Sequence, residues 1–346
     1  MSPIDLGSLV LVTGGNGFIA AHCIAGLLRS NYRVRATVRS IEKAKATREA
    51  LETAGIENLS DLELVIVSDP TDVQALSGSL QDCQAVLHLA SAFNYDAKPG
   101  EFEEKLMMPA LNGTKAVCEA ANRHHSVRRV IIMSSFASVY DASLGPQPGR
   151  VYTENDWAPL TYEDGVKALA VPIAYRASKV VAERAAWEYV RNKVHFQLIT
   201  LCPGMVFGRM IHPIKSLSQL NASNQIVWQV LSAGKDGEMP PTKAPVWIDV
   251  EDLANTSIKA LTFPGTAHER FLVTQASYDT QEIADIIRSH LPEKHRCPLG
   301  APGNRIAETH YSCDSSKAQN MLGVKFRGLE ESIVPLAHQL YEMERN

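Results

Sequence analysis

Paired cysteines, long apolar runs and an excess of charge of either sign are all missing from this sequence. Its six cysteines (Cys23, Cys83, Cys118, Cys202, Cys297 and Cys313) are scattered and form no C-x-x-C pair. A disulfide framework and a zinc site are therefore not expected, and a reducing, cytoplasmic setting is. None of the eleven histidines falls at a metal-binding spacing, so no metal is expected. No apolar stretch reaches the roughly 20 residues that a membrane span requires. The N-terminus has no basic start followed by an apolar run, so no signal peptide is expected either. A formal net charge of −4 gives no electrostatic reason to expect nucleic acid or an anionic membrane as partner. Internal repeats, low-complexity tracts and coiled-coil heptads are absent as well. What remains is 346 residues of globular composition, 45% apolar and 21% charged, enough for two modest domains around a large core.

The stretch from Ser8 to Arg39 reads strand, glycine turn, helix, strand. Ser8 to Thr13 is a short apolar run ending at glycine, the pattern of a buried parallel strand. Gly14, Gly15 and Gly17 allow a tight turn and a close approach of backbone N–H groups to a phosphate, with the positive end of the next helix aimed at it. Gly14, Gly17, Phe18 and Ile19 are the cofactor-binding residues expected from this turn, and Ala20 is small enough to pack the helix on the strand. A lone glycine-rich hexapeptide means little. Set between two strands and opening a helix, it signals a dinucleotide.

NAD-binding folds place an acidic residue at the end of the second strand to hold the adenosine ribose hydroxyls. Here that position is Arg39, with Ser40 beside it and Lys43 one turn on. A carboxylate would repel a 2′-phosphate, whereas a guanidinium grips it bidentately. Solvated surface charge is the commoner fate of Arg and Lys. Their place directly after the strand favours NADPH/NADP.

Strand-like and helix-like segments alternate over the first 200 residues, with a long helix from about Glu101 to His125, a Gly-, Pro- and Asp-rich loop over roughly 141 to 165, and a last strand at His195 to Leu201. This is the doubly wound parallel α/β pattern (Rossmann), with ligands beyond the carboxyl ends of the strands. Past Pro203 the rhythm changes to helical segments joined by Pro/Gly-rich pieces. The expected organisation is a dinucleotide-binding domain of residues 1–203 plus 245–274. A smaller, mainly helical substrate-binding lid comprises 204–244 plus 275–346.

Tyr175 and Lys179 are four apart on the helix after the fifth strand, hence on one face. An ammonium roughly 5 Å from a phenol, at an effective dielectric near 20, stabilises the phenolate by about 3 kcal/mol. That is about two pKa units, enough to bring the hydroxyl towards operating pH. Lysine is also long enough to hold the nicotinamide ribose. Ser134 and Ser135 end the fifth strand, where a hydroxyl can share negative charge developing on a carbonyl oxygen. A Tyr-x-x-x-Lys alone is supplied often by chance, and a strand-end serine is usually a turn former. Joined to the glycine loop in this order, they carry weight.

With these residues in hand, the chain resembles an extended short-chain dehydrogenase/reductase, and within that family the fungal carbonyl (methylglyoxal and aldehyde) reductases, kin of dihydroflavonol reductases. The resemblance rests on Thr13 to Ala20, Thr37 to Ser40, Val86 to Ser91, Met133 to Ser135, Tyr175 to Lys179, Cys202 to Gly208, Trp247 to Ala254 and Leu322 to Arg327. It implies that Ser135, Tyr175 and Lys179 form the catalytic triad, with Arg39 and Lys43 on the 2′-phosphate. It further implies that Asp69 reaches the adenine amine, Ala90 lines the ribose, and Pro203 and Val206 abut the nicotinamide. Two positions depart from the pattern. The helix-four asparagine of some relatives is Ala110 here, and the last glycine of the fingerprint is Ala20.

Phe93, Phe136, Met205 and Trp228 are candidates for the substrate pocket, although aromatics and methionines in such segments are often core. Asp249 and Asp252 read as a helix cap, Trp247 as core, and His88 as a satisfied core histidine. The expected activity is NADPH-dependent reduction of a small-molecule aldehyde or ketone to an alcohol. Two alternatives stand beside it: an NAD-dependent nucleotide-sugar epimerase or dehydratase, and a non-catalytic NADP-binding sensor. Whether two copies pair as a homodimer is left open.

Overall fold

The computed structural model describes residues 3–91, 96–292 and 296–345. Its first strand, β1 (Leu9–Thr13), is buried at every residue, as a parallel strand covered on both faces should be. The chain continues through α1 (Phe18–Arg29), β2 (Arg33–Val38), α2 (Ile41–Thr53), β3 (Leu62–Ile66), α3 (Val73–Ser79), β4 (Ala85–His88), α4 (Met108–Asn122) and β5 (Arg129–Met133). A short strand β6 (Val151–Tyr152) and helix α5 (Tyr162–Val166) precede the long α6 (Val171–Tyr189) and β7 (Gln197–Pro203). Then come β8 (Met205–Phe207), α7 (Ala222–Ser232), β9 (Val246–Asp249), α8 (Val250–Thr262) and β10 (Glu269–Val273). The last elements are β11 (Ala276–Ser277), α9 (Thr280–His290), β12 (Ser312–Cys313), α10 (Ser316–Leu322) and α11 (Leu329–Arg345).

Seven strands form one parallel sheet in the order β10-β7-β5-β4-β1-β2-β3. From β1 the chain winds outward to β2 and β3, then returns to lay β4 on the other flank of β1. The crevice between the carboxyl ends of β1 and β4 is therefore the switch point at which a doubly wound sheet takes its ligand. The doubly wound expectation is met, with β10 extending the sheet past β7.

The joint to the remainder of the chain is Gly204. A Cβ there would stand 2.5 Å from the Val246 carbonyl oxygen, so only glycine lets β7 pass into β8 against that backbone. A three-stranded sheet, β11-β9-β8, follows. Residues 245–274 thus divide: β9 pairs with β8 and β11, whereas α8 packs on α1 and β10 pairs with β7. Asp249 caps α8 by accepting from the Glu251 N–H at 2.7 Å, and Trp247 is core, as read from the sequence. The other end of α8 is held by the fully buried Arg129, which donates to the carbonyls of Ala260, Leu261 and Phe263. A cation at a helix C-terminus also suits the helix dipole.

Two local expectations differ. The helix read as running from Glu101 begins with a wide turn at Glu103–Met107 before α4. Pro109, in the first turn of α4, has no N–H with which to continue a regular ladder. The stretch of 141 to 165, read as loop, contains β6, which pairs in parallel with β12.

Candidate active site

The crevice is built by backbone. Gly14 adopts φ +70°, and a Cβ on it would lie 3.0 Å from the Ala90 Cα, so the β1 turn and the β4 loop meet without side chains between them. Thr13 stitches the two together: its Oγ1 accepts from the N–H groups of Leu89 (3.1 Å) and Ala90 (3.0 Å). That leaves the hydroxyl proton for Nδ1 of His88, 2.9 Å away. His88 is accordingly a satisfied core histidine, and burial pushes it down to about 4, so it is neutral at physiological pH. Thr37 Oγ1 accepts from the Gly14 N–H at 3.2 Å and ties β2 to the same turn.

A cleft of about 370 Å³ opens over this turn. It is lined by Gly14, Gly17, Arg39, Lys43, Ala90 and Lys179, residues that the sequence placed there, and also by Asn16, Ala110 and Glu183. Arg39 and Lys43 are exposed, one on each side of Ser40, which caps α2 by accepting from the Lys43 N–H. Fixing the start of α2 fixes the spacing of these two cations. The bare backbone at Gly14 and the cation pair at the end of β2 suit a dinucleotide carrying an additional phosphate.

On the far wall, α6 presents Lys179, Ala182 and Glu183 to the cleft, and Tyr175 stands one turn before Lys179 on the same helical face, just beyond the lining residues. Tyr175 is hydrogen-bonded to the hydroxyl of Ser135, and the Lys179 Nζ lies 5.9 Å from the centre of the tyrosine ring. Ser135 is the cap of a short turn after β5, its Oγ accepting from the Ala137 N–H at 3.1 Å. The electrostatics run against the expectation of an acidified phenol. Burial pushes the Tyr175 hydroxyl up, with only the Ser135 bond opposing, and burial pushes the Lys179 ammonium down to about 8. Desolvation outweighs the cation at this separation.

Other expected residues stand elsewhere. Phe18 opens α1 and is buried edge-on against His22, while Ile19 packs on the main core. Asp69 is exposed at the edge, its Oδ1 accepting from both the N–H (2.8 Å) and the hydroxyl (2.7 Å) of Thr71, and only its neighbour Pro70 lines the cleft. Those bonds hold the carboxyl below the usual range. Pro203 and Val206 are buried at the β7–β8 joint, and the Val206 N–H donates to Ser223 Oγ. Neither reaches the cleft wall.

Of the pocket candidates, Phe136 is a correction. It is 2% exposed and lies in an aromatic cluster, stacked on Tyr140 with centroids 4.8 Å apart and edge-on to Tyr152. The Ser135 turn points it inwards, behind the serine rather than into the cleft. Met205 and Trp228 are half-buried and pack against the main core. Phe93 lies outside the described residues.

Sequence reasoning missed Glu183. It is 1% exposed and paired with Arg270, with Nε–Oε1 at 2.8 Å and Nη2–Oε2 at 3.1 Å. The signal available was its spacing, four residues beyond Lys179 and eight beyond Tyr175.

A glycine turn at a switch point, facing a helix that carries tyrosine and lysine, defines a dinucleotide-dependent enzyme of the Rossmann type. Residues 10–273 match the model of the NAD dependent epimerase/dehydratase family, and the chain belongs to that family. Among curated relatives, a ketoreductase of Aspergillus niger is 33% identical, with 95% of this chain and 96% of the relative covered. An NADPH-dependent methylglyoxal reductase of Saccharomyces cerevisiae is 32% identical over 97% of this chain and 98% of its own. The crystal structure of yeast methylglyoxal/isovaleraldehyde reductase complexed with NADPH superposes with a TM-score of 0.88 at 31% identity, covering 97% of this chain and 99% of that one.

Proposed function

We propose that this protein is an NADPH-dependent reductase that converts a small aldehyde or ketone to the alcohol. The observation that carries it is the Tyr175–Ser135 hydrogen bond, with Lys179 one turn along, beside a cleft rimmed by Arg39 and Lys43. The cofactor, when bound, supplies a hydride to the carbonyl carbon. As the C=O π bond breaks, negative charge gathers on the oxygen, and Tyr175 transfers its hydroxyl proton there. A phenol pushed up by burial keeps that proton until an alkoxide, a far stronger base, takes it. Ser135 donates a hydrogen bond to the same oxygen, and Lys179 stabilises the phenolate left behind before solvent reprotonates it. Arg39 and Lys43 hold the 2′-phosphate.

The two relatives named above are reductases by name, one of them NADPH-dependent, which supports this reading over an epimerase reading within the same family. Arg39 supports it too, because a ribose-binding carboxylate would be needed there for NAD. Among the described residues no helix is long and apolar enough to cross a membrane. All six cysteines are free thiols, which fits a reducing compartment such as the cytosol. The deciding experiment follows NADPH and NADH oxidation against a panel of aldehydes, α-ketoesters and aryl ketones. Faster turnover with NADPH on at least one class is expected, and no oxidation on any of them sinks the proposal. Light scattering in the same preparation tests pairing of two copies.

A further inference from the structure

The buried ion pair at the cleft wall has a geometry that the proposed reaction does not by itself require. Glu183 Oε2 accepts from Ser134 Oγ at 2.6 Å, and Ser138 Oγ lies 2.6 Å from the same oxygen and 2.7 Å from the Ser135 carbonyl. These two serines bracket the turn that presents Ser135. Arg270, on β10, grips both oxygens of Glu183 and reaches Ser138 Oγ at 3.1 Å. The arginine is itself held from several sides: it stacks 3.7 Å over the Trp157 ring and donates to the carbonyls of Glu154 and Asp156. Glu183 is also the next residue of the α6 stripe after Lys179.

We propose that Glu183, clamped by Arg270, is a positioning residue for this site, anchoring the Ser134–Ser138 turn that presents Ser135 and facing Lys179 with negative charge from one helical turn away. The inference rests on the reductase reading for the roles of Ser135 and Lys179. Its geometry stands apart from that reading.

Glu183 stands one helical turn beyond Lys179, and both line the cleft. Burial alone pushes the Glu183 carboxyl up, but the Arg270 fork and the two serines reverse this and hold it below the usual range, so it is ionised. The titratable groups facing Lys179 are Tyr175 and Glu183 from α6, His88 from β4 and Cys202 from β7, with Arg270 of β10 behind Glu183. His88 is neutral, and burial pushes the Cys202 thiol up to about 12, so it too is neutral. The face of α4 that lines the cleft brings Pro109, Ala110, Gly113 and Thr114, none of them ionisable. Among the described residues, the ionised Glu183 is thus the group that opposes the loss of the Lys179 proton.

The test removes the pair as a unit. In Glu183→Gln/Arg270→Met both charges leave together, the change that buried pairs tolerate best. Competitive acetylation of Lys179 across pH, read by mass spectrometry, reports the lysine without turnover. Lys179 is expected to titrate about one unit below the parent when its counter-charge is gone. In NADPH oxidation with a carbonyl, kcat is expected to fall about 100-fold while KM for NADPH stays near the parental value, the signature of a misplaced group rather than a lost binding site. A folded double variant with parental Lys179 titration and parental kcat overturns the proposal, even if its thermal midpoint has dropped. Should the double variant not fold, Arg270→Lys keeps the charge but loses the fork to Ser138. A lower kcat with parental Lys179 titration then supports the proposal, and an unchanged kcat overturns it. If the parent reduces no carbonyl, the labelling arm still reads out the electrostatic effect of Glu183 on Lys179, so the two readings fail separately.

Discussion

The two halves of this molecule are built on different principles. Around the large sheet, the candidate site is written in backbone and in short spacings: the Gly14 turn, the Ser40 cap beside Arg39 and the Tyr175–Lys179 stripe each occupy one local segment. Beyond Gly204 the chain folds by pairing distant pieces. The strand β9 joins β8 and β11, β12 crosses to β6, and Arg327 bridges to the carboxylates of Glu251 and Asp252 at the start of α8. A cofactor shared by many enzymes demands fixed backbone geometry, whereas a substrate is selected by how a variable layer packs over it. Chemistry should therefore break at single residues of the first half, and selectivity should drift with changes in the second.

The sharpest break expected is Tyr175→Phe. Removing the hydroxyl leaves ring packing intact but takes away the proposed proton donor and the partner of Ser135. We expect kcat to fall by about 10³, roughly 4 kcal/mol in the barrier. NADPH binding, followed by fluorescence, should be nearly parental. If kcat fell by less than tenfold, the proton would have to come from elsewhere.

Next in size is Arg39→Ala. Charge-assisted hydrogen bonds contribute about 1.5–3 kcal/mol, so KM for NADPH should rise roughly 10- to 100-fold. KM for NADH, which has no 2′-phosphate, should change little. Equal losses with both cofactors would mean that Arg39 serves the fold and not the phosphate.

The pH dependence probes the same wall more gently. Burial lowers Lys179 to about 8, so its positive charge is present below that pH and lost above it. The free enzyme's kcat/KM should therefore hold up to about pH 8 and fall about tenfold per unit beyond it. A limb that stayed flat to pH 10 would place the ammonium in a far wetter setting than the structure does.

How much of this was legible beforehand follows from the same contrast. The glycine turn and the Tyr175–Lys179 face could be read because each is a repeat distance within one element, three to four residues on a helix or a tight turn after a strand. The sheet order beyond β5 and the β6–β12 pairing could not, since partners such as Ser312 and Val151 lie far apart in the chain. Glu183 shows both cases at once. Its place on the stripe was visible, but its partner Arg270 is 87 residues away and the burial that gives the pair its meaning exists only after folding. Phe136 was misread for a related reason: adjacency to Ser135 does not say which way a side chain leaves a turn. The expected acidity of Tyr175 failed because a Coulomb sum from spacing omits desolvation, which the packed wall makes the larger effect.

The mildest change belongs to the second half. Met205 lies on β8, half-buried, paired in register with Trp247 and packed against the main core. It stands just past the Gly204 joint, where the three-stranded sheet meets the end of the large one. Met205→Ala shortens a flexible apolar side chain without touching the glycine turn, the cations or the α6 stripe. KM for NADPH should stay parental, while the ratio of kcat/KM between a small aldehyde and a bulky aryl ketone should move by up to about tenfold, the scale of an added or lost methylene or two in an apolar pocket. Movement of the cofactor KM instead would show that β8 supports the dinucleotide cleft. The two halves would then be one mechanical unit, and the division of labour drawn above would fail at its joint.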